Sequence, residues 1–505
     1  MSRLEKMRRY GSLRDLWEPD AKLSARTDVA KWSGKVMKES SSLKSRPITG
    51  ILTVAIVICG GLLSIAEADE ELNAASTNEI SLVDSIDPTR VLHVDYSLQI
   101  DGTLITPGPG GTSSWKLASS GTFSFDQRRF PFDAAGPLAI RAARSFRTAQ
   151  TETTVGDQRS TTVALPRTAH NIVLYGAVEQ LLQLSPDVRL TRPQLDLLQI
   201  PCDPIVAAEL LPARNLKDQN EKWNADTWVV PMLVGIDATI SESATCRLQS
   251  LSDTEAVVEF EGQAKGAVTG SSTKVTLTGE LTFDRTRHFI RTLKAVQSEK
   301  REAGPFSPGL DVTAKIEWTQ RLVDEKDPAA DSAVAESMRE QLPDEGQLLL
   351  TLATPWRVLM LHNRKWHVFH ETPEMVMLRM LHEGALVAQC NLAPAATVRA
   401  GDATSEQEYL AEIQEALEER KGLVKSSKIH PDINGWRVHH VRAVGKANSK
   451  ALIWDYFLCT AKTGEQISLI FSFAEEDQNL VAGSPEQMLG TLTLRPARPK
   501  VALPR

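Results

Sequence analysis

Residues 92–101 read Leu-His-Val-Asp-Tyr-Ser-Leu-Gln-Ile-Asp, and the strict alternation of that stretch decides the fold class. Leu92, Val94, Tyr96, Leu98 and Ile100 share one side of an extended chain, and His93, Asp95, Ser97, Gln99 and Asp101 the other. A strand patterned this way lays one face on a core and leaves the other in water. His93 therefore falls on the wet face and reads as a surface histidine.

Outward from this stretch the same period recurs. Pro107 to Gly111 is a turn, and Trp115 to Phe125 forms a second alternating strand. Further strands are expected at Ala256 to Phe260 and around Val275, Leu277, Leu281 and Phe283. Between them, Asn171 to Leu184, Pro193 to Ile200 and Asp203 to Leu211 read as short helices. Gly121-Thr-Phe-Ser-Phe-Asp126-Gln-Arg-Arg129 matches Gly279-Glu-Leu-Thr-Phe-Asp284-Arg-Thr-Arg287, and Lys116 aligns with Lys274. The match admits two readings: related β-halves closing one sandwich or barrel, or a recurring strand-to-turn solution. Gly262, Gly266 and Gly270 with Ser271, Ser272 and Lys274 lack phosphate-loop spacing and read as a glycine-rich hairpin. The expectation is a β-rich sandwich or barrel-like domain over 88–321.

A charged, alanine-rich and proline-bounded stretch, 322–345, reads as a linker. Beyond it, 346–497 reads as a smaller α+β domain, with 498–505 as a tail. Strands are expected at Leu348 to Leu352, Trp366 to Phe369, Met375 to Leu381 and Ala385 to Leu392. A helix follows from Ser405 to Lys421, with Tyr409, Leu410, Ile413, Ala416 and Leu417 at helical spacing, Thr404 and Gln407 as a capping box and Gly422 as its stop. Trp436 to Val444, Leu452 to Thr460 and Gln466 to Phe473 are three more strands, and a last helix starts at Ser484-Pro485. This order resembles the PsbP/DcrB-like α/β fold over about 130 residues. The resemblance is carried by an early hairpin, the helix at 405–421, the strand opening Gly435-Trp436-Arg437-Val438 and the paired strands 452–460 and 466–473. It implies a non-enzymatic binding or assembly-assisting module of the kind found in photosynthetic lumens and bacterial envelopes. It carries no functional residue over to a position here.

The N-terminal part states where the body resides. Ile48 to Ala66 is uncharged, and its 19 residues would span roughly 28 Å as a helix, near bilayer thickness. Residues 1–47 carry 12 Lys and Arg against 6 Asp and Glu, and Glu67, Asp69, Glu70 and Glu71 follow the run. That asymmetry keeps the basic flank in the cytoplasm and sends the rest across. Two outcomes stand: a single-pass anchor, or a signal peptide starting at Met37 and cut after Ala66-Glu67-Ala68, giving a periplasmic or secreted product. Residues 67–87 are an acidic spacer. Cys59 lies inside the run and reads as a membrane-core cysteine.

Composition narrows the function classes. Residues 69–505 carry 45 basic and 57 acidic side chains, which argues against nucleic acid as a partner. The remaining four cysteines, Cys202, Cys246, Cys390 and Cys459, permit two disulfides, most simply 202–246 and 390–459, or four buried thiols. His362, His367, His370 and His382, with Glu371, are the candidate metal ligands, yet a strand over 366–370 points His367 and His370 to opposite faces. His439 and His440 are adjacent, so one faces in and one out. Gly-x-Ser-x-Gly is missing, and no cofactor is expected. The leading expectation is a non-catalytic extracytoplasmic binding or scaffold protein. Its partners would be the membrane through Ile48–Ala66 if uncleaved, and an apolar ligand or an envelope protein. The alternatives are an envelope hydrolase with its site assembled from separate strands, and a membrane-tethered interaction protein working through its basic tail.

Overall fold

A computed structural model describes residues 79–108, 111–178, 180–304, 307–323, 342–418, 422–447 and 450–495. The apolar run 48–66 with Cys59, the cleavage pattern, most of the linker and the tail lie outside the described residues. Among the described residues no helix is long and apolar enough to cross a membrane. Strands take up 56% of them and helices 14%, so the fold is mainly β and the expected α+β class is wrong.

The first large sheet is built from β1 (Val91–Gly108), β2 (Gly111–Arg129), β3 (Arg141–Val155), β4 (Thr161–Ala164), β5 (Asn171–Gly176) and β6 (Leu181–Leu184). It continues with β7 (Lys222–Asn224), β8 (Ala238–Leu251), β9 (Glu255–Val268), β10 (Ser271–Asp284), β11 (Phe289–Arg301) and β12 (Gly309–Leu322). Its order is β6-β5-β3-β2-β1-β12-β11-β10-β9-β8-β7, with β4 on β3. The sheet has two ends, so it is neither a closed barrel nor a two-sheet sandwich. The first repeated segment lies on β2, and the second runs from β10 into the turn after Asp284, within this one sheet.

The inward face is the alternating apolar set Val94, Tyr96, Phe123, Phe125, Val275, Leu277, Leu281, Phe283, Ile316 and Trp318. It packs in one cluster against three short helices, Arg192–Leu198, Pro204–Ala207 and Val229–Val234, through Leu195, Leu198, Ile205, Val206, Val230 and Leu233. Aromatic side chains carry their polar ends to the connecting loop. The Tyr96 hydroxyl donates to the Pro201 carbonyl at 2.7 Å, and the Trp318 indole to the Cys202 carbonyl at 3.0 Å. Arg144 on β3 donates to both oxygens of Asp203 at 2.8 and 2.5 Å and to Gln127 at 2.9 Å, all buried. Gly262 is the close-approach point: a Cβ there would lie 2.9 Å from Val230, so the helix Val229–Val234 rests directly on β9. Asn171–Leu184, expected as helix, forms β5 and β6. All six residues of β5 are buried, and a strand covered on both faces loses the alternation that announces it.

The second part holds β13 (Leu350–Ala353) and β14 (Val358–His362), then β15 (Trp366–Glu371), β16 (Val376–His382), β17 (Ala385–Ala395) and β18 (Leu423–Ile433). They are followed by β19 (Trp436–Ala447), β20 (Lys450–Ala461), β21 (Gln466–Ala474) and β22 (Thr493–Leu494). Seven form an antiparallel sheet in the order β15-β16-β17-β21-β20-β19-β18, and three form β13-β14-β22. The helix Glu406–Glu418 is present, started by Ser405, whose hydroxyl accepts the Glu408 N–H at 3.2 Å; Thr404 turns away to Gln466. The PsbP-like α+β expectation fails because strand dominates this part too. Most of these strands were expected, but β14, β18 and β22 were not; β18 carries Lys, Ser and a single His and is mostly exposed, with no apolar period.

Candidate functional site

The outward face of the first sheet is polar, and strand register aligns its side chains in rows. One row runs Lys222, Arg247, Glu259, Glu280, Lys294 and Glu317 across β7 to β12. The neighbouring row contains Thr245, Glu261, Thr278, Val296 and Lys315. Together they line an open trough of about 580 Å³. Four cations, Lys222, Arg247, Lys294 and Lys315, face four carboxylates, Glu259, Glu261, Glu280 and Glu317. Glu259 and Glu280 are directly opposed, which alone would weaken the sheet. The ion pair of Arg247 with Glu259 and the position of Lys294 opposite Glu280 offset that repulsion. The trough can thus hold a partner of mixed charge.

The same face continues onto β1 and β2, and there the reading of His93 is corrected. His93 is 4% exposed and buried in a polar cluster. Its Nδ1 lies 2.6 Å from Asp126 Oδ1, and Arg147 donates to Asp126 Oδ2 at 2.8 Å. Its Nε2 lies 3.3 Å from Ser124 Oγ and 3.2 Å from Asp95 Oδ1, and Ser124 donates to Asp95 at 2.9 Å. Register explains the meeting: His93 is the cross-strand partner of Asp126, and Asp95 of Ser124. Alternation placed His93 on the correct face. What it lacked was the neighbouring strand, since the paired polar side chains of β1 and β2 bury His93 and Asp126 against one another.

The second sheet has its own polar knot. His440 Nε2 lies 2.9 Å from Asp455, Arg442 donates twice to Asp455 at 2.7 Å, and the His440 ring stacks on Phe457. Burial pushes the Asp455 carboxyl up, but the hydrogen bonds from Arg442 and His440 outweigh it and leave the group below its ordinary value. His439 faces the other way, with Ser427 at 2.9 Å, as adjacent strand residues must.

The four candidate metal ligands do not form one group, although His362 and His367 are near each other. His362 is wholly buried on β14, its Nδ1 donating to the Asn363 carbonyl at 2.9 Å, while its Nε2 has no partner among the described residues. His367 and His370 lie on β15 and His382 at the end of β16. No group of three His, Cys, Asp or Glu able to hold a metal occurs among the described residues.

Cys202, Cys246, Cys390 and Cys459 are all free and buried in the structure. Cys390 pairs with Phe471 and Cys459 with Ile467, four residues apart on β21 and on its two opposite sides. At standard strand spacings their Cα atoms are roughly 16 Å apart, beyond any disulfide. Cys202 lies in the connecting loop, its carbonyl accepting the Trp318 indole and its N–H donating to the Leu233 carbonyl at 2.8 Å, and Cys246 sits on β8; both are free thiols. Burial pushes the Cys202 and Cys246 thiols up to about 12, and those of Cys390 and Cys459 higher still.

No family model matches the chain, and no curated protein matches it in sequence. Among solved structures, one from Bacteroides thetaiotaomicron is 10% identical with a TM-score of 0.22, over 29% of this chain and 48% of that one. Lipovitellin is 7% identical with a TM-score of 0.28, over 47% of this chain and 25% of its own. A BenF-like porin from Pseudomonas fluorescens is 6% identical with a TM-score of 0.11, over 76% and 98%. The chain spans less than half the length of the first two. TM-scores this low leave fold family and function unassigned.

Proposed function

We propose that this is an extracytoplasmic binding or scaffold protein of the cell envelope, delivered by Ile48–Ala66 and working through the polar trough across β7 to β12. The trough is the observation that carries the reading: a hollow of about 580 Å³ lined by eight charged side chains in balanced number. Balanced charge disfavours a polyanion such as nucleic acid and suits a protein surface of mixed charge. An apolar ligand inside the sheet would have to displace Leu195, Ile205, Val230 and Leu233, which already cover the inward face. The partner is therefore expected on the outward side.

A photo-crosslinking side chain at Thr278, in the trough, tests this against the same group placed on the second sheet at Lys428. Crosslinking of one envelope protein from Thr278, lost when Glu259 and Glu280 are both changed to Lys, supports the reading. Equal capture from Lys428, or capture indifferent to the charge reversal, sinks it. The mature N-terminus and intact mass from membrane and soluble fractions separate an anchored protein from a released one.

A further inference from the structure

The Ser124, His93 and Asp126 cluster goes beyond partner binding and does not depend on it. We propose that Ser124 is a nucleophile for acyl transfer, with His93 as its general base and Asp126 and Arg147 as positioning residues. Three geometric facts converge. The two ring nitrogens are assigned different neighbours: Nδ1 faces Asp126 at 2.6 Å, and Nε2 faces both the Ser124 hydroxyl at 3.3 Å and Asp95 Oδ1 at 3.2 Å. That is the order nucleophile, base, orienter by which such a constellation is recognised on unrelated folds. Asp126 is 3% exposed and fixed by Arg147 at its other oxygen, so the imidazole is held from behind. Ser124 is only half-buried, so a substrate can reach it from the outward face.

Its place adds a substrate class. Glu317 of the trough pairs with Ser97 on β1, and Ser97 with Thr122 on β2, two residues from Ser124. Standard strand spacings put Ser124 roughly 12 Å from Glu317 along one continuous polar face. The site would take the ester of a polar molecule rather than of a long acyl chain. Ser124 Oγ bonds to the acyl carbon as its proton passes to His93 Nε2. The bond from that carbon to the alcohol oxygen then breaks, and the alcohol leaves with the proton from His93. Water attacks the acyl-serine by the same route, returning Ser124 and releasing the acid.

Asp95 is the resting competitor. Its Oδ1 accepts the Ser124 proton at 2.9 Å, closer than His93, and lies 3.2 Å from His93 Nε2, so it engages both partners; its side chain is 60% exposed, so removing it opens no core cavity. The test is labelling of the full chain with a fluorophosphonate. This probe forms the Oγ–P bond, breaks P–F, releases fluoride and gives the serine proton to His93. The expected result is a single adduct mapped to Ser124, absent in Ser124→Ala, formed about a hundredfold more slowly in His93→Gln and several-fold faster in Asp95→Ala. No adduct under conditions that fully label a general serine hydrolase overturns the proposal and leaves a structural polar cluster. An adduct unchanged in Ser124→Ala overturns it equally. Because His93 is buried, the exposed Asp95→Ala variant keeps the test meaningful if His93→Gln does not fold.

Discussion

His367 shows what burial does to a single ionisable group in this molecule. Burial, with Arg192 and His362 nearby, pushes its imidazole down to about 4, and burial lowers His362 as well. Both rings are neutral in the folded protein at neutral pH, whereas in the unfolded chain they bind protons near pH 6.5. Between roughly pH 6.5 and 4 the unfolded state takes up more protons, so stability falls as pH falls through that window. His367 alone should account for about 2 kcal/mol after allowance for its partial exposure. Urea unfolding of wild type and His367→Gln at pH 7 and pH 4.5 checks this; the loss between the two pH values should be smaller in the variant. The thiols make a second prediction at this scale. With pKa values pushed up and no exposure, Cys202, Cys246, Cys390 and Cys459 should resist iodoacetamide in the native protein. All four should alkylate in guanidinium without reductant, and a mass showing any 202–246 or 390–459 bridge would contradict the fold. In sequence these cysteines were countable, but whether two could meet depended on strand order. His93 was misread for the same reason, since its partner Asp126 is 33 residues away and became a neighbour only through pairing.

Elements divide by how much of their environment is local. β1, β2 and β10 announce themselves because each has one wet and one dry face, and that difference is written every second residue. β5, buried throughout, and β18, mostly exposed, have two similar faces and write nothing. The helix Glu406–Glu418 was legible from its apolar stripe, and so were the short helices Arg192–Leu198 and Pro204–Ala207, although what holds these two in place is long-range. Asp203 illustrates that dependence: it caps Pro204–Ala207 by accepting the Ile205 N–H at 3.0 Å and is clamped by Arg144 from β3. Removing one member leaves a buried charge unpaired. Asp203→Ala or Arg144→Ala should therefore lower unfolding free energy by about 3–5 kcal/mol, read from denaturant midpoints. Replacing both with apolar residues of similar volume should recover most of the loss, and a double variant no better than the singles would refute the clamp.

At the scale of the whole molecule, the first sheet meets the second part through hydrogen bonds to backbone carbonyls and through the apolar contacts of Leu348 and Leu350. The Thr351 N–H donates to the Leu190 carbonyl at 2.8 Å, and Arg364 donates to the carbonyls of Leu348 at 3.0 Å and Gln183 at 2.5 Å. Elsewhere on the seam, the turn of the β9–β10 hairpin touches the turn of the β16–β17 hairpin at Gly270 and Gly384. A Cβ on Gly270 would lie 2.1 Å from the Gly384 carbonyl oxygen, and both glycines have positive φ, 75° and 74°. Side chains there are excluded twice, by contact and by backbone conformation. Each sheet has its own hydrophobic cluster, one centred on Phe125, Phe283 and Trp318 and one on Trp366, Phe471 and Leu469. Damage confined to the seam should therefore uncouple the two clusters rather than unfold either. Gly384→Val is expected to turn a single thermal transition into two, with the near-ultraviolet signal of Trp318 and that of Trp366 melting at different temperatures. Arg364→Lys, which keeps the charge but loses the planar fork that reaches two carbonyls, should act in the same direction and more weakly. A Gly384→Val protein that still melts in one step, at a lower temperature, would mean that the clusters fold as one cooperative unit and that the turn contact is only a local strain.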